Sequence, residues 1–155
     1  MTFLSELAIE PAGPSDSEWC ARLMATADPW RTLGRGYQDC IERCCQPDYA
    51  LLVAHSAGVP RGFLLLHPNG VAGSPYIAAI ATAADARGQG VGTALLDRAE
   101  AWYPRARHIF LCVSSFNPRA RRLYERRGYA AVGEFRDYVI EGASEILMHK
   151  RLVPA

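Results

Sequence analysis

Three glycines at alternate positions, Gly88, Gly90 and Gly92, separate an apolar segment from a helical pattern. Because glycine lacks a Cβ atom, a backbone of this kind can approach a ligand closely. The first turn of the following helix offers free N–H groups and the positive end of the helix dipole, which favour a phosphate. The loop therefore predicts a strand, a turn and a helix in that order, with a phosphate bound at the helix start.

The spacing of these glycines excludes two familiar phosphate loops. A P-loop requires a lysine after its last glycine, and no lysine follows Gly92. A dinucleotide fingerprint requires its third glycine three positions after the second, whereas Gly92 follows Gly90 by two. On the loop alone, a tight structural turn and an ATP site remain alternatives.

Capping signals and helical periodicity predict four helices. Ser15 and Glu18 form a capping-box pattern before the first helix, and Asn117 with Pro118 begins the last. The predicted helices are Asp16 to Ala27, Gly36 to Cys45, Gly90 to Trp102, and a segment from Asn117 that ends at Gly128. The apolar positions expected to be buried in the first two are Trp19, Cys20, Leu23, Met24 and Ala27, then Tyr37, Ile41, Cys44 and Cys45.

Apolar runs separated by turn residues predict the strands. Their expected bounds are Tyr49 to His55, Gly62 to His67, Tyr76 to Thr82, Ile109 to Ser114, Tyr129 to Glu134 and Glu145 to Leu152, with a loop over Asn69 to Pro75. With a further strand near the N-terminus, the order is β-α-α-β-β-β-α-β-α-β-β. This order predicts one domain over residues 1–155, of the α/β or α+β class.

Charge and hydropathy narrow the function classes. The formal net charge is +1, which argues against binding nucleic acid or a membrane surface through bulk charge. The apolar runs are too short to cross a bilayer, and Met1 to Glu10 lacks the basic start and apolar core of an export signal. We expect a cytoplasmic protein with no nucleic-acid or membrane partner.

The cysteines are five in number, at Cys20, Cys40, Cys44, Cys45 and Cys112. An odd count without an export signal gives no support for a disulfide framework. A zinc site on Cys40 and Cys44 would need further ligands, and the nearest candidate is His55. We expect the cysteines to act as small buried side chains, with no metal bound.

A second motif lies between Asn117 and Tyr129. It matches N-x-x-A-x-x-x-Y-x-x-x-G-[FY] at every named position, and Arg87 to Gly92 matches R-x-x-G-x-G. With these two motifs at this separation, the chain resembles the GNAT superfamily of N-acetyltransferases from about Tyr49 to Leu152. The resemblance implies a GNAT-like fold: a central mixed, mostly antiparallel sheet of about seven strands flanked by four helices.

The resemblance also implies acetyl-CoA as the acyl donor. In the superfamily the strand before the glycine loop splays from the next strand, and the pantetheine arm lies in the gap. Carried onto this chain, the residues expected to contact acetyl-CoA are Ile80, Ala81, Thr82, Arg87, Gly88, Gln89, Gly90, Val91, Gly92, Thr93, Asn117, Ala120 and Tyr124. Arg119 could reach the 3′-phosphate, whereas Arg126 and Arg127 are expected on a solvated helix face.

Direct acetyl transfer to a primary amine needs a proton for the departing thiolate. A tyrosine hydroxyl, with an ordinary pKa of ~10, is a plausible donor. By its place in the motif, Tyr124 is the predicted general acid, near the thioester sulfur. The alternative is a helix tyrosine that only packs against neighbouring leucines.

The general base is not evident from the sequence. Several branches of the superfamily carry a glutamate on the strand before the loop, yet Pro75 to Ala84 contains no carboxylate. The chain also resembles ribosomal-protein alanine N-acetyltransferases, in Pro29-Trp30 and in the segment Asp137 to Met148. Those enzymes have a glutamate at the position of Cys112, where a cysteine is expected to pack in the core. The remaining candidates for the base are Ser114, Ser115, Tyr138 and Glu145.

The acceptor is expected to be an amine of a small molecule, a peptide or a protein N-terminus. Trp30, Tyr76 and Tyr138, with Arg31, are predicted to line its site, because aromatic rings suit an amine. An equally open interpretation is that Trp30 only anchors its loop to the core. Superfamily members are often dimers, which leaves a homodimer open. The alternative function is a non-catalytic acyl-CoA-binding regulatory module that has lost its base.

Overall fold

Seven strands and four helices make up the computed structural model, which describes residues 6–153. The strands are β1 (Leu7–Pro11), β2 (Ala50–Ser56), β3 (Val59–Val71), β4 (Ser74–Thr82), β5 (His108–Ser114), β6 (Ala130–Arg136) and β7 (Ser144–Arg151). The helices are α1 (Asp16–Thr26), α2 (Tyr37–Cys44), α3 (Val91–Trp102) and α4 (Pro118–Arg126). The predicted element order is confirmed; of Met1 to Glu10, the first five residues lie outside the described range.

One mixed sheet contains all seven strands, in the order β1-β2-β3-β4-β5-β7-β6. Every neighbouring pair is antiparallel except β4 and β5, which are parallel. A parallel pair needs a crossover connection, and α3 supplies it. The expected mixed, mostly antiparallel sheet of seven strands flanked by four helices is therefore confirmed.

The two faces of the sheet bury separate apolar clusters. On one face α3 and α4 cover β2 to β5 and β7, through residues such as Leu95, Leu96 and Leu111. On the other face α1 and α2 cover β2, β3 and β4, with Phe63 fully buried at the centre. Truncation of such a residue to alanine typically costs about 3–5 kcal/mol of stability.

Two details of the first helices differ from the predictions. Ser15 makes no capping hydrogen bond; instead the backbone N–H of Gly13 donates to Asp16 Oδ2 at 2.7 Å. In α2, Tyr37 and Cys45 are exposed, and the buried face is formed by Cys40 and Cys44. The helix has only eight residues, and of these only Cys40 and Cys44 are buried in the cluster over β2, β3 and β4.

The hairpin between β3 and β4 is longer than predicted. Asn69 to Pro75 was expected to be a loop, but β3 continues to Val71 and β4 begins at Ser74, so only Ala72 and Gly73 turn. Both turn residues have positive φ angles, 48° and 80°, as a tight hairpin requires. The sequence did not predict this extension because the segment contains polar residues and a proline. Strand ends that project from a sheet are not buried, so they need no alternation of apolar and polar residues.

Among the helices of residues 6–153, none combines the length and the hydropathy needed to span a bilayer.

Candidate active site

The central feature of the site is a gap between the two parallel strands. β4 and β5 pair only at Tyr76 with Phe110 and at Ile77 with Leu111. Beyond these pairs the strands separate, so the edge of β4 from Ala78 to Thr82 faces no partner strand on this side. An edge of this kind offers backbone N–H and C=O groups to an extended ligand.

A β-bulge marks the point at which the strands separate. Leu65 on β3 pairs with Ala79, and the next residue, Leu66, pairs with Ile77, so Ala78 is an extra residue in β4. A bulge bends its strand and increases the local twist. Arg43 on α2 donates a hydrogen bond from Nη2 to the carbonyl oxygen of Ala78 at 3.2 Å. The bend therefore begins one residue after the last β4–β5 pair, and a side chain from α2 contacts it.

The glycine loop follows β4 and opens α3, as predicted. Gly90 is the residue before the helix and has a φ angle of 85°, while Gly88 has a φ angle of 74°. These left-handed values favour glycine, and no atom lies within 4 Å of the place a Cβ would occupy at either residue. The loop is thus an open cradle of backbone at a helix N-terminus, which suits an anion.

The remaining residues of the loop divide into buried and exposed groups. Val91 is buried in the core beneath α3, so only its backbone N–H can serve a ligand. The side chain of Gln89 donates to the carbonyl oxygen of Asp85 at 3.2 Å, which holds the loop against the preceding turn. Arg87 and Thr93 are exposed. At Gly92 a Cβ would lie 3.9 Å from Thr82 Oγ1, so the end of β4 and the start of α3 are close.

Asn117 and Tyr124 lie on α4, which packs beside β5. The backbone N–H of Ala120 donates to Asn117 Oδ1 at 3.4 Å, which confirms the predicted cap. Tyr124 is buried among the α3/α4 cluster, and its ring lies 6.1 Å from that of Tyr129 in an edge-on arrangement. Burial raises the pKa of Tyr124 to about 12. Within residues 6–153 its hydroxyl has no hydrogen-bond partner.

A group of titratable side chains lies on the opposite face of the sheet. On β5, Ile109, Leu111 and Val113 point into the α3/α4 cluster, so Cys112 lies on the α1/α2 side. Tyr76 of β4 lies beside Cys112 there, and Glu145 of β7, which pairs with Ser114, is on the same face. Burial, then Cys112, raises the pKa of Tyr76, although Arg43 lowers it. Burial also raises the pKa of the Cys112 thiol, although the neighbouring Tyr76 hydroxyl lowers it.

Cys112 therefore differs from its prediction. It was expected to pack in the core, but it is only half-buried and belongs to neither apolar cluster. Strand alternation would have predicted this side, since its neighbours Leu111 and Val113 are the buried residues.

The predicted acceptor residues are dispersed around this face. Trp30 is half-buried, 6.5 Å from the ring of Phe63, and lines a cavity of about 100 Å³ with Arg43. Tyr138 lies beyond β6, is 69% exposed, and contacts the ring of Phe135 at 5.3 Å. Arg31 is exposed. Both interpretations of Trp30 are thus compatible with its position, because it contacts the core and a cavity at once.

Two positions on the basic helix and among the cysteines also need correction. Arg127 was expected on a solvated face, but it forms ion pairs with Asp97 and with Glu100, the latter at 3.7 Å. Cys20, Cys40 and Cys44 are buried as expected, whereas Cys45 is exposed.

The zinc alternative places His55 beside Cys40 and Cys44. Instead, the His55 ring nitrogen Nε2 is 3.6 Å from Asp16 Oδ1. In the described part of the chain, no group of three or more His, Cys, Asp or Glu side chains could hold a metal.

Arg43 is the residue of this site that the sequence analysis missed. It follows the buried position Cys40 by three residues, so helical spacing places it beside the face of α2 that meets the sheet. That spacing was the available signal. The partner of Arg43 is a backbone carbonyl oxygen, and because every residue has one, the sequence does not indicate which carbonyl is the acceptor.

Known proteins share both the family pattern and the fold. A family model described as Acetyltransferase (GNAT) family matches residues 16–129. Because this match spans more than half of the chain and includes both motifs, the chain belongs to the GNAT acetyltransferase family. No curated protein sequence matches it significantly.

Solved structures with the same fold include a ribosomal-protein alanine N-acetyltransferase from Escherichia coli, at 20% identity and a TM-score of 0.78, over 97% of this chain and 96% of that chain. A spermidine N-acetyltransferase from Vibrio cholerae, solved with CoA and spermine, is 17% identical over 96% of each chain, with a TM-score of 0.76. An aminoglycoside 6′-N-acetyltransferase complexed with coenzyme A is 17% identical over 96% of this chain and 98% of that chain, with a TM-score of 0.77.

Proposed function

We propose that this chain is an acetyl-CoA-dependent N-acetyltransferase that transfers an acetyl group directly to a primary amine of a small molecule, a peptide or a protein. The observation that carries the proposal is the gap between β4 and β5, which ends at the open glycine cradle of α3. Acetyl-CoA has an extended pantetheine arm and an anionic pyrophosphate. The gap between the strands is complementary to the arm, and the glycine cradle is complementary to the pyrophosphate.

The acyl donor would be held mainly by backbone groups. The free edge of Ile80, Ala81 and Thr82 would pair with the amide-bearing pantetheine arm as an added strand does. The N–H groups from Gly88 to Thr93 would bind the pyrophosphate at the start of α3. Asn117 and Ala120, at the start of α4, would contact the arm from the β5 side of the gap.

The sheet separates the two sides of the reaction. Tyr124 belongs to the face covered by α3 and α4, whereas Tyr76, Cys112 and Glu145 lie on the other face. A thioester in the gap would therefore meet the acid from one face and the amine from the other. Trp30, Tyr76 and Tyr138 are the proposed acceptor-lining residues.

In the transfer step the amine nitrogen attacks the thioester carbonyl carbon, the C–N bond forms and the C–S bond breaks. The Tyr124 hydroxyl donates its proton to the departing sulfur, and the proton released by the amide nitrogen restores it. A pKa of about 12 keeps Tyr124 protonated at neutral pH. The transfer is not as unfavourable as this value suggests, because desolvation in the same site also raises the basicity of the thiolate.

The test follows thiol release from acetyl-CoA with a panel of three acceptors: spermidine, tyramine and a peptide that begins with alanine. The wild-type chain should acetylate at least one of them. Tyr124→Phe should lower kcat by about 10²-fold or more, as the loss of a general acid does. Tyr103→Phe, on a half-buried tyrosine after α3, is the matched control and should leave kcat within about threefold of wild type.

One observation favours a second candidate. Pro75 to Ala84 carries no carboxylate, and the resemblance to ribosomal-protein alanine N-acetyltransferases implies a glutamate where this chain has Cys112. A non-catalytic acyl-CoA-binding module would bind CoA, give no thiol release with any amine, and be insensitive to Tyr124→Phe. Stabilisation by ATP and not by CoA in a thermal-shift comparison would contradict both candidates.

A further inference from the structure

Glu145 lies on the acceptor face, outside the glycine-loop motif and the Asn117 to Tyr129 motif. On β7 it pairs with Ser114, the last residue of β5, and with Phe135 of β6. Its neighbour Ile146 and the alternate residue Met148 are buried under α3 and α4. Because successive side chains of a strand point to opposite faces, Glu145 lies on the face that carries Tyr76 and Cys112.

The apolar cluster beneath α1 and α2 does not cover this part of the face. The apolar cluster beneath α1 and α2 draws its buried residues from those helices and from β2, β3 and β4. β5, β7 and β6 extend past it, so Glu145 is half-buried beside the separated end of β5. The adjacent Ser114 is 2% exposed, and its hydroxyl has no hydrogen-bond partner among the described residues. A polar molecule entering from this face could satisfy that hydroxyl.

The electrostatic surroundings link Glu145 to the gap. Glu145 pairs with Ser114, two residues from Cys112 on the same face, and its charge is a minor contribution to the raised pKa values of Tyr76 and Cys112. On the same face, Arg43 of α2 acts on the Tyr76 hydroxyl, and His149 lies four residues further along β7, where burial and then His108 lower its pKa. Within residues 6–153, Glu145 has neither an ion-pair nor a hydrogen-bond partner. A half-buried carboxylate without a partner favours a cation beside it.

Carboxylates of α2, of the turn before the glycine loop and of β6 are engaged in contacts of their own. Asp39 accepts from the N–H of Gly36 at 3.1 Å, and Glu42 accepts from the side chain of Gln38 at 3.0 Å. Asp85 is 3.7 Å from Arg61. Glu134 is 3.4 Å from Arg136, and it pairs with Ile146, so it lies on the opposite face of the sheet from Glu145.

We propose that Glu145 is the general base of the transfer, on the last strand rather than beside the glycine loop. The inference rests on the proposed function. The acceptor enters as an ammonium ion, and one N–H proton passes to a carboxylate oxygen of Glu145. The neutral nitrogen then attacks the thioester carbon, the sulfur leaves with the proton of Tyr124, and the amide nitrogen returns a proton to that tyrosine. Glu145 releases its proton to solvent, so the balance is one proton per acetyl group.

A base that removes the ammonium proton makes a specific prediction about pH. Without this base, the enzyme can acetylate only the fraction of amine molecules that is already neutral in solution. For a peptide α-amine with a pKa of ~8, about one molecule in 30 is neutral at pH 6.5 and most are neutral at pH 9. Glu145→Gln should therefore lower kcat/KM for the alanine-initiated peptide about 30-fold at pH 6.5 and less than about twofold at pH 9. For tyramine or spermidine the loss should shrink about tenfold per pH unit towards the pKa of the amine.

The experiment compares the pH profiles of wild type, Glu145→Gln and the control Glu134→Gln, which removes a nearby carboxylate from the other face. The dissociation constant for CoA and the melting temperature should match wild type in both variants. Unchanged kcat/KM in Glu145→Gln would overturn the proposal while leaving the proposed function intact. A loss independent of pH would overturn it too, because it would indicate an anchoring contact instead. A wild-type chain that acetylates none of the three acceptors would overturn the proposed function itself.

Discussion

The guanidinium Nη2 of Arg43 lies 3.2 Å from the carbonyl oxygen of Ala78, the bulged residue of β4. This contact joins α2 to the point where β4 leaves β5. We expect Arg43→Ala to relax the bend and weaken CoA binding about fivefold, the equivalent of one hydrogen bond of about 1 kcal/mol. Isothermal titration with CoA measures the change.

Arg22→Ala is the control for this variant, because Arg22 forms only an exposed ion pair with Glu18 within α1. It should leave the CoA dissociation constant unchanged. Equal affinity in Arg43→Ala and wild type would mean that the bulge keeps its shape without α2.

The glycine cradle can be tested with variants matched for backbone strain. Gly90 and Gly73 have φ angles of 85° and 80°, and no atom lies within 4 Å of a Cβ built at either. Gly90→Val and Gly73→Val should therefore lose similar stability, of about 1–2 kcal/mol. Only Gly90→Val should weaken CoA binding, by more than about tenfold, since its side chain would fill the pyrophosphate position. Comparable CoA affinity in the two variants would contradict the placement of the donor.

Asn117 has two proposed roles that substitution can separate. Its side chain accepts a hydrogen bond from the N–H of Ala120, so Asn117→Ala should lower the free energy of unfolding by about 0.5–1 kcal/mol. Asn117→Asp keeps the cap and should retain stability, while its charge should disfavour the donor. Denaturant unfolding and CoA titration of both variants give the two values. Wild-type CoA affinity in a stable Asn117→Asp would leave only the capping role.

Burial of Tyr124 predicts a loss of stability at high pH. The pKa of Tyr124 is about 12 in the folded protein and ~10 in the unfolded chain. Below pH 10 the hydroxyl is protonated in both states, so its contribution to the free energy of unfolding does not change with pH. Between pH 10 and 12 the unfolded chain loses the proton first. The free energy of unfolding should fall by about 1.4 kcal/mol per pH unit from this residue.

Tyr124→Phe should therefore show a shallower fall than wild type over this range. Tyr76 and Tyr129, whose pKa values are also raised by burial, remain in both proteins and contribute equally. Denaturant titrations at several pH values between 9 and 12 measure the difference. Parallel curves would indicate that the Tyr124 hydroxyl is solvated in the folded protein.

Much of the framework could be predicted because it depends on neighbours in the chain. The α4 cap needs only Asn117 and Pro118, since a side chain three residues away satisfies the first N–H groups. The glycine loop needs only residues without a Cβ at positive φ. The longer hairpin at Asn69 to Pro75 has the opposite cause, because pairing between β3 and β4 extends the two strands to Val71 and Ser74. The failure at Ser15 is local: it makes no capping hydrogen bond, and the neighbouring Asp16 accepts from the N–H of Gly13.

The sequence by itself determined the order of the elements, the GNAT family and the phosphate cradle, because each is written in short spacings along the chain. The cradle at Gly88 to Gly92 is the clearest case. Only the tertiary structure decided where β4 separates from β5, which side chain contacts the bulge, and that Glu145 lies on the same face as Tyr76 and Cys112. Those relations depend on strand register between residues tens of positions apart, and one residue of bulge or slip would move a side chain to the other face.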